Sequence, residues 1–229
     1  MIRLIGVVVP AHNEQDLLPS CLASLHRAAR ALPGTPVRLV VVADACRDRT
    51  AEVARRGGAV VVTTGARNVG GARAAGVREV LRRAGHVDPA DIWLATTDAD
   101  TLVPARWLRE HARYGDEGWD AVAGTVRVSG WSGYRPDTRS LFRKRYGAGA
   151  GPHAHVHGAN LGFRATAYLR AGGFPDVPTA EDRALVAALT ANGSRVRRTR
   201  SLSVVTSARR EGRAPHGFSQ YLAELDASA

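Results

Sequence analysis

Apolar residues in the first hundred positions form short runs separated by longer amphipathic segments. Residues 2–9, 37–42, 59–63 and 92–96 have the length and the β-branched character of buried strands. Between the first two runs, across residues 18–32, apolar residues recur at helical spacing. Strands that alternate with helices are typical of a parallel sheet covered by helices, so the pattern predicts an α/β fold.

The second half of the chain has a less regular pattern. Residues 129–157 are rich in Gly, Arg and aromatic residues without clear periodicity. We expect a long loop or a broken helix there, which is a common place for ligand recognition. The other predicted elements are helices over residues 50–56, 71–83, 104–114 and 180–192, and strands over residues 121–128, 156–163, 195–199 and 202–207.

Length and composition fit one domain without a membrane span. The chain has 229 residues, of which 45% are hydrophobic, enough for one α/β core. No apolar run reaches the ~20 residues that cross a bilayer, and no basic segment leads into a long apolar one at the N-terminus. The sequence therefore predicts a cytoplasmic protein in which Cys21 and Cys46 stay reduced.

The formal net charge of +11 comes almost entirely from arginine, since Lys144 is the only lysine. Such a charge suits nucleic acid, an anionic membrane surface or a nucleotide diphosphate. Nucleic-acid binding would require aromatic residues interleaved with the basic ones, or a known motif, and the sequence shows neither. We therefore expect no nucleic-acid partner, while peripheral membrane contact stays compatible with the charge.

Two carboxylates follow the fourth predicted strand directly, in Asp98-Ala99-Asp100. Ligands of open α/β sheets bind at the carboxyl ends of the strands. Adjacent carboxylates repel each other unless a cation joins them, and Mg²⁺ or Mn²⁺ can take both while keeping positions for phosphate oxygens. The pattern predicts a metal and diphosphate site, and the alternative is a solvated acidic turn.

Three earlier loops lie at the same predicted edge of the sheet. Glu14 follows the first strand and could accept hydrogen bonds from ribose hydroxyls, or simply cap the next helix. Asp44 ends the second strand and offers an acceptor for a base N–H. Arg73 follows the glycine-rich residues 68–71, where its guanidinium could pair with phosphate or stack on a base.

The loops described above, together with residues 158–164 and the pair Glu181-Asp182, resemble in order and spacing the family 2 glycosyltransferases with the GT-A fold. The resemblance extends across about residues 4–206. The resemblance implies metal coordination by Asp100 beneath the diphosphate of a nucleotide sugar. The matching stretches are residues 7–14, 42–50, 68–76, 97–100 and 158–164, followed by Glu181-Asp182. The implied nucleotide contacts are Pro10, Ala11, Glu14, Asp44, Arg73 and Asp98.

The same resemblance implies a metal-dependent, hexosyltransferase-like enzyme that inverts the anomeric carbon of a nucleoside-diphosphate sugar, with UDP favoured. One carboxylate of Glu181-Asp182 would act as general base toward the acceptor hydroxyl, and Asp182 is our choice. An alternative interpretation is that the pair favours the N-terminus of the following helix through its dipole. Both roles are compatible. The acceptor itself is not identified by the sequence.

The resemblance also implies a single domain over residues 1–207. Its nucleotide-sugar half would be residues 1–101 and its acceptor and catalytic half residues 102–207. Residues 208–229 form a tail that begins with a basic run over residues 209–216. One hypothesis makes it a lid, with Arg209 and Arg210 closing on the diphosphate and His216 completing the metal shell. The alternative is a solvated basic face. The alternating His153, His155 and His157 are expected to contact acceptor or solvent rather than metal.

Two departures from the family pattern qualify the function. The loop after the second strand lacks the common Asp and Gly pair, and the Gln-x-x-Arg-Trp motif of processive synthases is absent. We therefore predict single transfers rather than polymer synthesis. The competing functions are a nucleotidyltransferase, which should show a glycine-rich loop after the first strand, and an inactive binding protein of the same fold, which the retention of Asp98, Asp100 and Asp182 disfavours.

Overall fold

The computed structural model of the protein describes residues 1–147, 153–210, 212 and 217–229. Its strands are β1 (Leu4–Ala11), β2 (Val37–Asp44), β3 (Val60–Thr64), β4 (Ile92–Thr96), β5 (Ala121–Ser129), β6 (Leu161–Arg164) and β7 (Val196–Ser207). Its α-helices are α1 (Leu18–Arg30), α2 (Thr50–Arg56), α3 (Val69–Arg83), α4 (Trp107–Asp116), α5 (Thr138–Gly147), α6 (Ala165–Arg170), α7 (Glu181–Ala191) and α8 (Phe218–Ala227).

The strands of the described residues form one seven-stranded sheet in the order β3-β2-β1-β4-β6-β5-β7. Strands β1 to β4 are parallel, β6 runs antiparallel to both β4 and β5, and β7 is parallel to β5. The carboxyl ends of the six parallel strands therefore meet at one edge, and β6 begins there. The prediction of a mostly parallel α/β sheet in a single domain is confirmed.

The two faces of the sheet carry separate hydrophobic clusters. Along β1, Ile5, Val7 and Val9 face one cluster with α1 and α4, whereas Leu4 and Val8 face the other with α3 and α7. Burial of both faces explains why the strands read as continuous apolar runs. Each fully buried Val or Ile stabilises the fold by roughly 1.5–3 kcal/mol.

Helix α3 lies close against the sheet because strand β1 and helix α3 each have a glycine where they face one another. A Cβ on Gly6 would overlap Val80 of the helix, and a Cβ on Gly76 would overlap Val8 of the sheet. This close packing fixes where the first turn of α3 reaches the edge of the sheet. The position of Arg73 depends on it.

The structure differs from the predicted elements mainly after residue 129. Helix α5 lies within the segment predicted as a long loop or a broken helix. The sequence did not locate this helix, because its few apolar residues among many basic ones show no clear periodicity. The predicted strand over residues 156–163 is instead a 3-10 turn (Gly158–Asn160) followed by the short β6. The two short final strands are one, β7, and the tail contains α8, whose Leu222 and Leu225 are buried.

In the part of the chain that the structure describes, no helix is both long and apolar enough to cross a bilayer. Cys21 and Cys46 are both free thiols. Cys21 lies beneath Asp98, with its Sγ 3.4 Å from the backbone oxygen of that residue. Burial raises the pKa of the Cys21 thiol well above its usual range, so it behaves as an apolar core residue.

Candidate functional site

A cavity of about 910 Å³ opens at the edge where the parallel strands end. It is bounded by the loops after β1, β2, β3 and β4, by the turn before β6, and by residues of α5, α7 and α8. Most of the site residues predicted from the sequence line it. They are Pro10, Ala11, Glu14, Asp44, Arg73, Asp98, Asp100, Glu181, Asp182 and Arg209.

The loops around this cavity hold non-glycine residues in the left-handed backbone region. Among the described residues these are Asn13, Ala45, Arg67 and Ala180, with φ of 54°, 49°, 51° and 61°. Each such residue costs on the order of 1–3 kcal/mol, and this kind of strain concentrates at ligand sites. Ala45 occupies the loop that departs from the family's Asp and Gly pair, and glycine would adopt its conformation without that cost.

Asp44 lines the cavity at the end of β2, and its carboxylate is already engaged by hydrogen bonds within the chain. Oδ1 accepts hydrogen bonds from Thr64 Oγ1 at 2.9 Å and from the backbone N–H of Arg67 at 3.1 Å. Oδ2 accepts from the backbone N–H of Asn68 at 2.7 Å. Asp44 therefore ties the end of β2 to the loop that begins α3, and Asn68 in turn caps that helix through Gly71.

Arg73 joins the two halves of the site. Its Nη2 donates to Asp98 Oδ1 at 2.6 Å, and its Nη1 forms a short ion pair with Glu181. The Arg73 side chain is 4% exposed and that of Glu181 is 5% exposed, so the pair is shielded from water. Gly158 lies against the guanidinium, where a Cβ would overlap it. In this arrangement Arg73 is held by carboxylates rather than presented to a base.

Asp182 faces the cavity from the first turn of α7. Its Oδ2 accepts from the backbone N–H of Gly158 at 2.7 Å, and its Oδ1 accepts from that of Arg183 at 2.7 Å. The neighbouring Glu181 is buried and paired with Arg73. Of the two predicted bases, Asp182 is therefore the one whose carboxylate is both oriented and accessible to a ligand.

Arg209 lies where the sequence predicts a metal ion. It follows the end of β7, which is parallel to β5 and so ends at the same edge as Asp100. Its Nη1 is 2.6 Å from Glu14 Oε1, and its Nη2 is 2.7 Å from Asp100 Oδ2. Burial raises the pKa of Asp100 and the nearby Arg209 opposes that rise. A positive charge between Glu14 and Asp100 thus compensates a buried carboxylate.

A divalent cation fits this donor set if phosphate and water complete its shell. Within the described residues, no group of three or more His, Cys, Asp or Glu side chains could hold a metal alone. Mg²⁺ and similar hard cations commonly take only one or two protein carboxylates together with substrate phosphates. Asp98 and Asp100 offer that number. The predicted ligand His216 lies outside the described residues.

Arg210 is not brought into the cavity, which corrects its predicted nucleotide contact. Its Nη2 is 2.9 Å from Asp226 Oδ2, and its guanidinium lies 4.9 Å from the ring centroid of Tyr134. Asp226 belongs to α8, and it also accepts from Thr138 Oγ1 at 2.5 Å. Arg210 therefore fastens α8 to the loop before α5 instead of closing on a ligand.

Aromatic and imidazole side chains that the sequence did not single out as a group form the opposite wall. Tyr146 from α5, Phe218 and Tyr221 from α8, and His155 and His157 line the cavity there. Tyr146 stacks on Phe142 at 4.9 Å and on His155 at 4.0 Å between ring centroids. The sequence pointed to His155 and His157 but not to the aromatic residues beside them, because the wall depends on the packing of two helices that the hydrophobic pattern does not predict.

Comparison with known proteins gives a consistent result at the family level. The family described as Glycosyl transferase family 2 matches residues 6–170. The chain is similar to the undecaprenyl-phosphate 4-deoxy-4-formamido-L-arabinose transferase of Pectobacterium atrosepticum, with 30% identity over 150 residues. That match covers 62% of this chain and 40% of the relative. The enzyme of the same name from Pseudomonas paraeruginosa is 32% identical over 131 residues, covering 55% of this chain and 36% of the relative.

Solved structures share the fold. The Staphylococcus aureus protein TarS 1-349 in complex with UDP-GlcNAc has a TM-score of 0.69 and 17% identity, covering 100% of this chain and 66% of that one. The mannosyltransferase PcManGT from Pyrobaculum calidifontis, in complex with GDP-Man and Mn²⁺, has a TM-score of 0.63 and 23% identity, covering 97% and 68%. Both agree with a GT-A arrangement of the sheet described above.

Proposed function

The chain belongs to glycosyl transferase family 2, and from that premise we propose that it transfers a sugar from a nucleoside-diphosphate sugar to an acceptor hydroxyl with inversion. The observation that carries the proposal is the convergence of Asp98, Asp100 and Asp182 on one cavity at the carboxyl edge of the sheet. Displacement of a diphosphate needs charge neutralisation on one side and proton removal on the other. The nucleotidyltransferase alternative has no supporting observation.

The donor nucleotide is proposed to bind at the end of the cavity formed by the loops after β1, β2 and β3. Pro10 and Ala11 line it beside Asp44, which accepts the backbone N–H groups of Arg67 and Asn68 and so holds the loop that bounds this end of the cavity. We favour UDP. TarS binds UDP-GlcNAc and PcManGT binds GDP-Man, so this fold accommodates either base.

Asp98 and Asp100 would hold a divalent cation, Mn²⁺ or Mg²⁺, which when bound supplies neutralisation of the charge that develops on the departing diphosphate. Arg209 at present pairs with Asp100. With Asp100 engaged in holding the cation, the guanidinium would be available to donate to phosphate oxygens, as arginine does well. Arg209 is therefore proposed to have two alternative partners, the Asp100 carboxylate and the diphosphate of the donor.

Asp182 is proposed as the general base. The acceptor oxygen attacks the anomeric carbon, the bond from that carbon to the diphosphate oxygen breaks, and the acceptor proton passes to the Asp182 carboxylate. The hydrogen bond from Gly158 at 2.7 Å fixes one carboxylate oxygen for this task. The curated relatives are named for a lipid phosphate acceptor, and a phosphate that is already ionised would need no such base.

Thermal unfolding tests the proposal directly. A ligand that binds only the folded protein stabilises it, by about 2.7 kcal/mol when the ligand concentration is a hundred times Kd, and so raises the unfolding midpoint. We expect UDP to raise it in the presence of Mn²⁺ and much less in its absence. UDP, GDP, dTDP and CDP would be compared at equal concentration. If none of the four shifts the midpoint, with or without Mn²⁺, the transferase proposal is wrong and an inactive binding protein is favoured.

A further inference from the structure

We propose that Tyr146 fixes His157 as a neutral imidazole that donates a hydrogen bond from Nδ1 to a hydroxyl of the donor sugar. The family match assigns neither residue a role, and the sequence alone led us to expect no more than contact of His157 with acceptor or solvent. The inference rests on the proposed function, because it names a contact within the same cavity. His157 would bind the sugar, and Tyr146 would act through it as a positioning residue.

The hydrogen bonds of Tyr146 determine which ring nitrogen of His157 carries the proton. The backbone N–H of Val126 lies 3.0 Å from the Tyr146 hydroxyl and can only donate. The hydroxyl hydrogen must then find its own acceptor. His157 Nε2, at 2.9 Å, is in position to accept it.

The opposite arrangement is less favourable. If Nε2 carried the proton, the Tyr146 oxygen would accept two hydrogen bonds and its own hydrogen would have no acceptor among the described residues. The Tyr146 side chain is buried, and an unsatisfied buried donor costs roughly 1–3 kcal/mol. The proton of a neutral His157 therefore sits on Nδ1.

The ring of His157 is held in one orientation by its neighbours. Phe218 meets it edge-on at 5.5 Å between centroids, Tyr146 is tilted at 5.7 Å, and His155 is nearly parallel at 6.0 Å. This enclosure lowers the pKa of His157 to about 4, so the ring carries a single proton at neutral pH. A neutral N–H is suited to a hydroxyl oxygen.

His157 lies among the reacting groups. It lines the cavity, and the next residue, Gly158, donates its backbone N–H to Asp182. The carbonyl of Gly158 accepts from Thr96 Oγ1 at 2.6 Å, which anchors this turn to the end of β4. Asp98 is close enough to act on the charge of the His157 ring. Within the part of the chain that the structure describes, Nδ1 has no hydrogen-bond partner.

A hydroxyl group matches these surroundings. It can accept from the Nδ1–H of His157 and donate its own hydrogen to a neighbouring carboxylate such as Asp98. A site that hydrogen-bonds a hydroxyl also discriminates against sugars that lack it or orient it differently. His157 is therefore proposed to help select the donor sugar rather than the nucleotide.

The test compares binding of a nucleotide with binding of the corresponding nucleotide sugar. Calorimetry with Mn²⁺ would measure Kd for UDP and for UDP-glucose, UDP-galactose and UDP-GlcNAc. His157→Phe keeps a ring but removes both nitrogens, whereas His157→Asn keeps an N–H at the position of Nδ1. We expect His157→Phe to weaken binding of the preferred UDP-sugar by about 3- to 10-fold with UDP unchanged, and His157→Asn to restore part of the loss.

The matched control is His86→Gln, at an exposed histidine in the turn before β4, which should leave every Kd unchanged. Histidine ¹⁵N spectra give a second readout. They should show the Nδ1–H form of His157 in the wild type and its loss in Tyr146→Phe.

Equal weakening of UDP and UDP-sugar by His157→Phe, or an Nε2–H form in the wild-type spectrum, overturns the inference while leaving the transferase proposal intact. Absence of any nucleotide binding by the wild type overturns both.

Discussion

At the scale of single residues, the balance of charge around Asp100 would govern binding of the proposed cation. Its carboxylate is buried, and Arg209 compensates it at 2.7 Å. The positive charge beside Asp100 therefore comes from the chain itself. A metal ion must compete with a tethered guanidinium, so Mn²⁺ binding should depend on the presence of a diphosphate that supplies further ligands and receives Arg209.

Arg209→Met should make Mn²⁺ binding less dependent on nucleotide. The substitution removes the guanidinium that Glu14 and Asp100 share. The apparent affinity for Mn²⁺ alone should therefore rise, because the metal ion no longer competes with Arg209. Titration followed by electron paramagnetic resonance measures free Mn²⁺ directly.

Asp100→Asn is the counterpart, and it should abolish the Mn²⁺-dependent shift of the unfolding midpoint by UDP. An Asp100→Asn protein that keeps that shift would exclude Asp100 as a ligand.

Asp182→Asn should remove turnover while leaving donor binding nearly unchanged. Asparagine can still accept the hydrogen bond from Gly158 but cannot take the acceptor proton, and loss of a general base typically costs 10²- to 10⁴-fold in rate. Steady-state release of UDP and the Kd of UDP-sugar would be measured together. A fully active variant would point to an acceptor that is already ionised.

At the scale of elements, Arg73 couples α3 to the end of β4 and to α7. Arg73→Met should destabilise the protein by about 3–5 kcal/mol, because it leaves the buried carboxylate of Glu181 unpaired. The double variant Arg73→Met with Glu181→Gln should recover most of that loss. Urea unfolding of the wild type, both single variants and the double variant gives the coupling. Additive single effects would show that the pair does not join these elements.

At the scale of the whole molecule, two enclosed histidines link stability to pH. Burial lowers the pKa of His111 to about 3 and that of His157 to about 4, below the ordinary 6.5 of an unfolded chain. As pH falls below about 6.5, the unfolded chain binds protons that the folded protein does not. The stability of the folded protein is therefore highest above pH 6.5. It falls with decreasing pH down to about pH 4 for the part that depends on His157 and about pH 3 for the part that depends on His111, at up to about 1.4 kcal/mol per pH unit for each site.

Urea unfolding at pH 7.5 and at pH 5 measures this dependence. His111→Asn keeps an acceptor near the indole N–H of Trp93, which His111 Nδ1 accepts at 3.2 Å, and it removes one titrating group. The difference in stability between the two pH values should therefore be smaller in the variant than in the wild type. An unchanged difference would mean that His111 does not contribute to the acid sensitivity.

Local pattern was sufficient to predict the framework of the site. The apolar runs placed β1 to β4, and the polar residues at their ends, Glu14, Asp44 and Asp98, all line one cavity. This follows because the side-chain pattern of a buried strand is visible over a few residues, and because parallel strands end at a common edge whatever the details of their packing. The family match over residues 6–170 agrees with these motifs.

Tertiary structure alone decided how these groups are paired and what faces them. Glu181 is buried against Arg73, Arg209 occupies the place predicted for a metal, and Arg210 turns away to Asp226. The wall around Tyr146 and His157 forms only when α5 and α8 pack together. Such contacts join residues far apart in the chain, so their geometry depends on the path of every element between them. The sequence by itself determined which groups reach the edge of the sheet, and packing determined their partners and their protonation.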